Sequence, residues 1–169
     1  MVLTKQELVN ALETEVRILL HLAGKLDRAD VDYRPTPKQR SALELLRYLS
    51  FMGPVLVATA KSGAFDGAAW TTEVRNAETR NLDETLAVIA AQPEVYARLL
   101  ADMSDADFRA EMTAFDGSTI TRGAFIVSRV LGQCAAYRTQ LFCYLKSCGQ
   151  EQLGTMNLWR GVDAPAPTS

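Results

Sequence analysis

A single histidine and three cysteines in 169 residues leave little of the usual material for metal or thiol chemistry. One imidazole, His21, does not supply the two or three that zinc and nickel centres commonly take. An odd cysteine count argues against a disulfide framework, and Cys134, Cys143 and Cys148 fall on or beside one helical stretch. Cys143 and Cys148 sit on different helix faces, so all three read as buried or incidental thiols. Excess charge is missing too. The net charge is −2 and the arginines are scattered, which removes the electrostatic footprint of a nucleic-acid partner. No apolar run reaches about 18 residues free of a charge or a breaker, so no membrane span is expected. The opening MVLTKQELVN has no positive region leading into an apolar core, and the expectation is a cytoplasmic protein.

What is present is an ordinary globular composition, 48% hydrophobic and 22% charged, at a length that suits one domain. We expect a single domain over 1–160 and a disordered tail over 161–169, which ends APAPTS. Thr4 and Glu7 make a capping box that opens a first helix over about Lys5–Leu26, with Val9, Leu12, Val16, Leu19, Ala23 and Leu26 as its apolar seam. Asn10, Thr14, Arg17 and His21 share another face, so His21 reads as solvated or locally hydrogen-bonded. Residues 27–40, with Pro35 and Pro37, read as an extended connection.

Ser41 and Glu44 repeat the capping box and start a second helix that is apolar almost all round, hence the most buried element. Leu45, Tyr48, Met52 and Leu56 form one of its stripes, and Pro54 predicts a kink or break near Gly53. The segment Ala64–Arg80 shows no convincing period and reads as an irregular packed loop, pinned by Phe65 and Trp70 across one end of a cleft. Asn81 and Glu84 cap a third helix, which Pro93 bends or divides. Phe115, Asp116 and Gly117 signal a turn, and Leu158 and Trp159 are expected to dock on the bundle.

The longest helical pattern runs from Thr121, an N-cap candidate, to Gly149, a left-handed stop, about 40 Å at 1.5 Å per residue. Ile126, Val130, Gln133, Tyr137, Gln140 and Tyr144 recur at helical spacing, so two amides and two phenols share an inward stripe. A second stripe, Ser128, Gly132, Ala135, Ala136 and Thr139, is made of small residues. Four long helices without an alternating strand pattern predict an all-α, up-and-down four-helix bundle with long crossover loops.

The residues PTPKQRSALELLRYLS, the FDG turn and GQCAAYRTQLFCYLKSCG resemble the DinB-like superfamily of bacterial four-helix-bundle proteins. That resemblance implies a metal site of three histidines, one from the second helix and two spaced by four on the last. The matching positions here read Tyr48, Gln133 and Tyr137, with YRTQ at Tyr137–Gln140 where the family has a pattern like HRGQ. An amide is a weak ligand, and a phenol must first lose a proton whose reference pKa is about 10. We therefore expect no metal cofactor, and a pocket at Tyr48, Gln133 and Tyr137 that is either plugged by its own hydrogen bonds or open to a small-molecule ligand. The resemblance also implies a homodimer. The alternative reading is a divalent-metal-dependent hydrolase or thiol S-transferase, with Tyr48 or Tyr137 as general acid assisted by Cys134 or His21, or with His21 and Glu13 or Glu15 as atypical ligands.

Overall fold

The first free N–H groups of a helix need acceptors, and this chain places one at nearly every long-helix start. The computed structural model describes residues 3–165. In chain order its helices are α1 (Lys5–Ala23), α2 (Ala42–Ser62), α3 (Gly67–Thr79), α4 (Leu82–Ala90), α5 (Gln92–Leu100) and α6 (Asp105–Arg109). The strands β1 (Glu111–Thr113) and β2 (Thr119–Thr121) follow, then α7 (Arg122–Phe125), a π-helical segment Ile126–Leu131, α8 (Gly132–Ser147) and α9 (Thr155–Arg160). Thr4, Ser41 and Asn81 form reciprocal capping boxes with Glu7, Glu44 and Glu84, as their spacing predicts.

The core lies where four long helical units meet: α1, α2, the pair α4–α5, and the continuous run from α7 through α8. Leu12, Leu22, Leu45, Met52, Ile89, Leu100, Ile126 and Leu141 are fully buried there. α2 is long and apolar enough, by composition, to cross a membrane, with a mean hydropathy of 1.3. Here it packs as the central helix, against α3, α4, α5 and α8.

α2 runs without a break through Pro54, so of the kink or break expected near Gly53 the break does not occur. A proline at this position leaves the carbonyl four residues back without its helical donor. The buried amide of Gln92, from α5, fills that gap: its Nε2 donates to the Leu49 and Ser50 carbonyls at 2.8 and 3.0 Å. Pro93 does divide the third helix, and it sits in the first turn of α5, where its missing N–H has no partner to lose.

Three further elements depart from the sequence reading. Ala64–Arg80 is not an irregular loop, because α3 occupies most of it, with Asp66 capping the amides of Ala68 and Ala69. The FDG turn joins a two-stranded antiparallel hairpin, Met112 opposite Ile120, with Gly117 at a φ of 82°. The last long helix contains the π-helical segment, in which Gly132 N–H bonds back five residues to the Val127 carbonyl.

At the C-terminal end α9 docks mainly through buried Asn157 and half-buried Leu158, while Trp159 stays 60% exposed. Of the tail expected at 161–169, Asp163 is held, pairing with Lys25 at 2.8 Å and accepting from Asn157 at 2.9 Å. Residues 166–169 lie outside the described residues.

Candidate functional site

Tyr48, in the second turn of α2, meets the start of α8, which carries Gln133 and Tyr137 one helical turn apart. The structure brings these three side chains together. The Tyr48 hydroxyl donates to Gln133 Oε1 at 3.3 Å, a long bond for two oxygens, and the Tyr48 and Tyr137 rings meet edge to face at 5.2 Å. All three are half-buried. Burial is the main reason that the Tyr48 phenol is pushed up to about 12, with Tyr137 adding to the shift and Arg40 opposing it. The phenol therefore stays protonated near neutrality and acts as a donor.

The remaining amide and phenol of the α8 stripe are used elsewhere. Gln140 donates to the Tyr144 hydroxyl, which donates to the Arg40 carbonyl at 3.0 Å. This short chain fixes the backbone just ahead of α2, and the Arg40 guanidinium lies 4.2 Å over the Tyr48 ring.

A cavity of about 360 Å³ opens beside Tyr48, between α2 and α3. Glu44, Arg47, Tyr48 and Phe51 form its α2 wall at helical spacing, with Arg40 just ahead of that helix, and Trp70, Val74, Ala77 and Glu78 form its α3 wall in the same way. Phe51 and Trp70 meet edge to face at 5.0 Å, and Tyr48 touches both rings at 5.6 and 6.1 Å. Gln133 and Tyr137 do not line this space. The sequence-predicted trio is thus in contact, and one member, Tyr48, also lines a neighbouring cavity. The α3 wall was missed because only Ala77 in that helix is fully buried. Its legible signal was Asp66 as a cap ahead of Trp70, Val74 and Ala77 at i, i+4 and i+7.

The other candidate groups are engaged apart from the trio. His21 Nε2 lies 3.0 Å from the Asn157 amide and 3.7 Å from Asp163, beside α9. Glu15 is bound by Arg138 at 2.8 Å, and Glu13 is exposed. Burial pushes the Cys134 thiol up to about 12, with Glu15 adding to the shift, which leaves almost no thiolate to act as a nucleophile at neutral pH.

The donor set at the positions matching the family's ligands does not fit a divalent metal. It offers two phenols, one of them held protonated to about 12, and an amide whose oxygen already accepts a hydrogen bond. Among the described residues, no group of three or more His, Cys, Asp or Glu side chains converges.

The raised phenol sets a pH dependence. The folded state holds the Tyr48 proton more tightly than the unfolded chain, whose phenols titrate near 10, so its contribution is complete below pH 10 and is lost between 10 and about 12. Tyr96, which burial also raises, acts in the same direction. Urea midpoints should fall across that interval, and Tyr48→Phe should flatten the decline. An unchanged slope in the variant would show that Tyr48 titrates normally.

No family model matches the chain, and no curated protein does. Among solved structures the chain is similar to the crystal structure of a DinB-like protein, YjoA, from Bacillus subtilis. The identity is 18%, the TM-score 0.67, and the likeness covers 87% of this chain and 94% of that one. At this identity the likeness speaks for fold, and it covers most of both chains: the protein is an all-α chain with the DinB-like fold.

Proposed function

We propose that this protein is a metal-independent member of the DinB-like group that binds a small molecule in the α2–α3 cavity beside Tyr48. One observation carries the reading: beside Tyr48, which touches Gln133 and Tyr137, a cavity of about 360 Å³ with an aromatic wall and two arginines stands open. A cavity of that size holds a ligand of one or two rings. The three polar groups at the family's ligand positions then act as a structural plug that sets Tyr48 as part of the cavity wall. Binding, with no metal-dependent turnover, is the activity this arrangement supports. A thiol S-transferase or hydrolase using Cys134 or His21 has no comparable support, since neither residue lines the cavity.

Two measurements on tag-free protein test the proposal. Elemental mass spectrometry after equilibration with zinc, nickel, cobalt and manganese is expected to find each far below one per chain. A stoichiometric metal lost on Tyr48→Phe with Gln133→Ala would overturn the metal-independent reading. A fragment screen followed by NMR in Trp159→Phe protein, where the single indole N–H signal is that of Trp70, is expected to find ligands that shift it. A screen in which no fragment moves that signal would overturn the cavity reading.

A further inference from the structure

We infer that the α2–α3 cavity is selective for a planar aromatic monocarboxylate, with its ring against Trp70 and Phe51 and its carboxylate on the edge of Arg40. This rests on the cavity reading above and adds to it the chemical class of the ligand.

The arginines supply the first part of the argument. The Arg40 guanidinium bonds to no group among the described residues: its Cζ lies 4.2 Å from the Tyr48 ring centroid, and its N–H groups have no partner there. A stacked guanidinium with an open edge is arranged for bidentate contact with a planar carboxylate. Its backbone is held by Tyr144, so the mouth of the cavity is anchored on that side. Arg47 gives Nε and Nη2 to the Arg80 carbonyl, and its Nη1 has no partner among the described residues.

The acids limit the charge of the ligand. Glu44 is already engaged: one oxygen accepts from the Ser41 amide at 2.8 Å and the other from Arg34 at 3.1 Å. The Ser41 amide holds its carboxyl below the usual range, so it stays ionised with its partners. Glu78 is exposed on the rim and bonds to nothing among the described residues. It faces the same space as Arg40 and Arg47, and it disfavours a second negative group. One anionic end is matched and two are not.

The remaining wall selects the body of the ligand. Tyr48, Phe51 and Trp70 present ring faces and edges within 5.0 to 6.1 Å of one another, and Val74 and Ala77 complete an apolar floor. A flat ring fits among such edges by stacking, which a bulky aliphatic body does not do.

The test uses naphthoate and its neutral amide, naphthamide, titrated into Trp159→Phe protein and followed at the Trp70 indole signal and by calorimetry. Naphthoate should shift that signal and bind at least about tenfold more tightly than naphthamide, the difference that a charge-assisted pair supplies. Arg40→Gln should bring the two within about twofold by weakening naphthoate alone. Arg40→Lys, which keeps the charge and loses the fork, should fall between. Near-uniform circular dichroism spectra and melting temperatures across these variants would verify that each is folded. Equal binding of the two probes to the parent protein, or a carboxylate preference that survives Arg40→Gln, would overturn the inference and leave the cavity reading standing. Silence from both probes would also overturn it, and the cavity reading would fall only if the wider fragment screen were silent at Trp70 as well.

Discussion

Arg138→Met is expected to lower the free energy of unfolding by about 3–5 kcal/mol, the cost of leaving one partner of a buried ion pair alone. The Arg138 side chain is 3% exposed and Glu15 opposite it 18%, and the pair is two-pronged, with Nε to Oε2 at 2.8 Å and Nη2 to Oε1 at 3.3 Å. The third nitrogen donates to the Leu158 carbonyl, and the guanidinium lies 5.2 Å from the Trp159 ring. One side chain thus ties α8 to α1 and to α9. Methionine keeps the bulk of the stem and removes every one of those bonds. Urea unfolding measures the loss, and the double variant Glu15→Met with Arg138→Met should recover much of it, because it leaves no charge stranded. A single-variant loss below about 1 kcal/mol would place the pair in the range of exposed ion pairs and refute its role as the clamp.

Gly53→Ala should destabilise by about 3 kcal/mol, the upper end of ordinary overpacking costs, although alanine is the better helix former by about 1 kcal/mol. A Cβ at Gly53 would stand 2.0 Å from the Tyr96 hydroxyl and 3.2 Å from the ring carbon that bears it. Tyr96 is 1% exposed and cannot swing out. Its hydroxyl donates to Gln92, whose amide covers the Ser50 carbonyl that Pro54 leaves without a helical donor, so a shift of the ring disturbs the patch that keeps α2 whole. Tyr96→Phe removes the clashing oxygen at the cost of one hydrogen bond, about 1 kcal/mol. The double variant should therefore be more stable than Gly53→Ala alone. If the two losses simply add, the close approach of α2 and α5 is not what excludes a side chain at position 53.

These two sites show how legibility divides along the chain. Local chemistry was readable: the capping pairs Thr4–Glu7, Ser41–Glu44 and Asn81–Glu84 form as spaced, and Pro93 splits its helix. Pro54 was readable only in part, because its effect depends on Gln92, 38 positions later in the numbering, being packed against it. The helix α3 escaped because a mostly exposed helix has a weak apolar period, although its cap was in plain sight. The hairpin escaped because strands of three residues are too short to alternate.

The candidate site was legible to the same depth. Helical spacing and family resemblance placed Tyr48, Gln133 and Tyr137 near one another, and they do meet. What they meet to form was not readable, because the cavity is bounded by α3, the element the periodicity hid. Arg40 and Trp70 belong to it through contacts between elements rather than through any motif.

The π-helical segment Ile126–Leu131 turns this dependence into a matter of phase. Such a turn amounts to an α-helix carrying one surplus residue, and each residue is worth about 100° of rotation. Everything beyond Leu131 therefore faces where it does because of how many residues precede it, regardless of which they are. Removing one position between Phe125 and Gly132 and letting the helix regularise would swing Gln133, Tyr137 and Arg138 away from their partners in a single step, with every side chain of the trio and the clamp still present. In this fold the length of the last helix is an address, and a deletion there is a stronger edit than most substitutions.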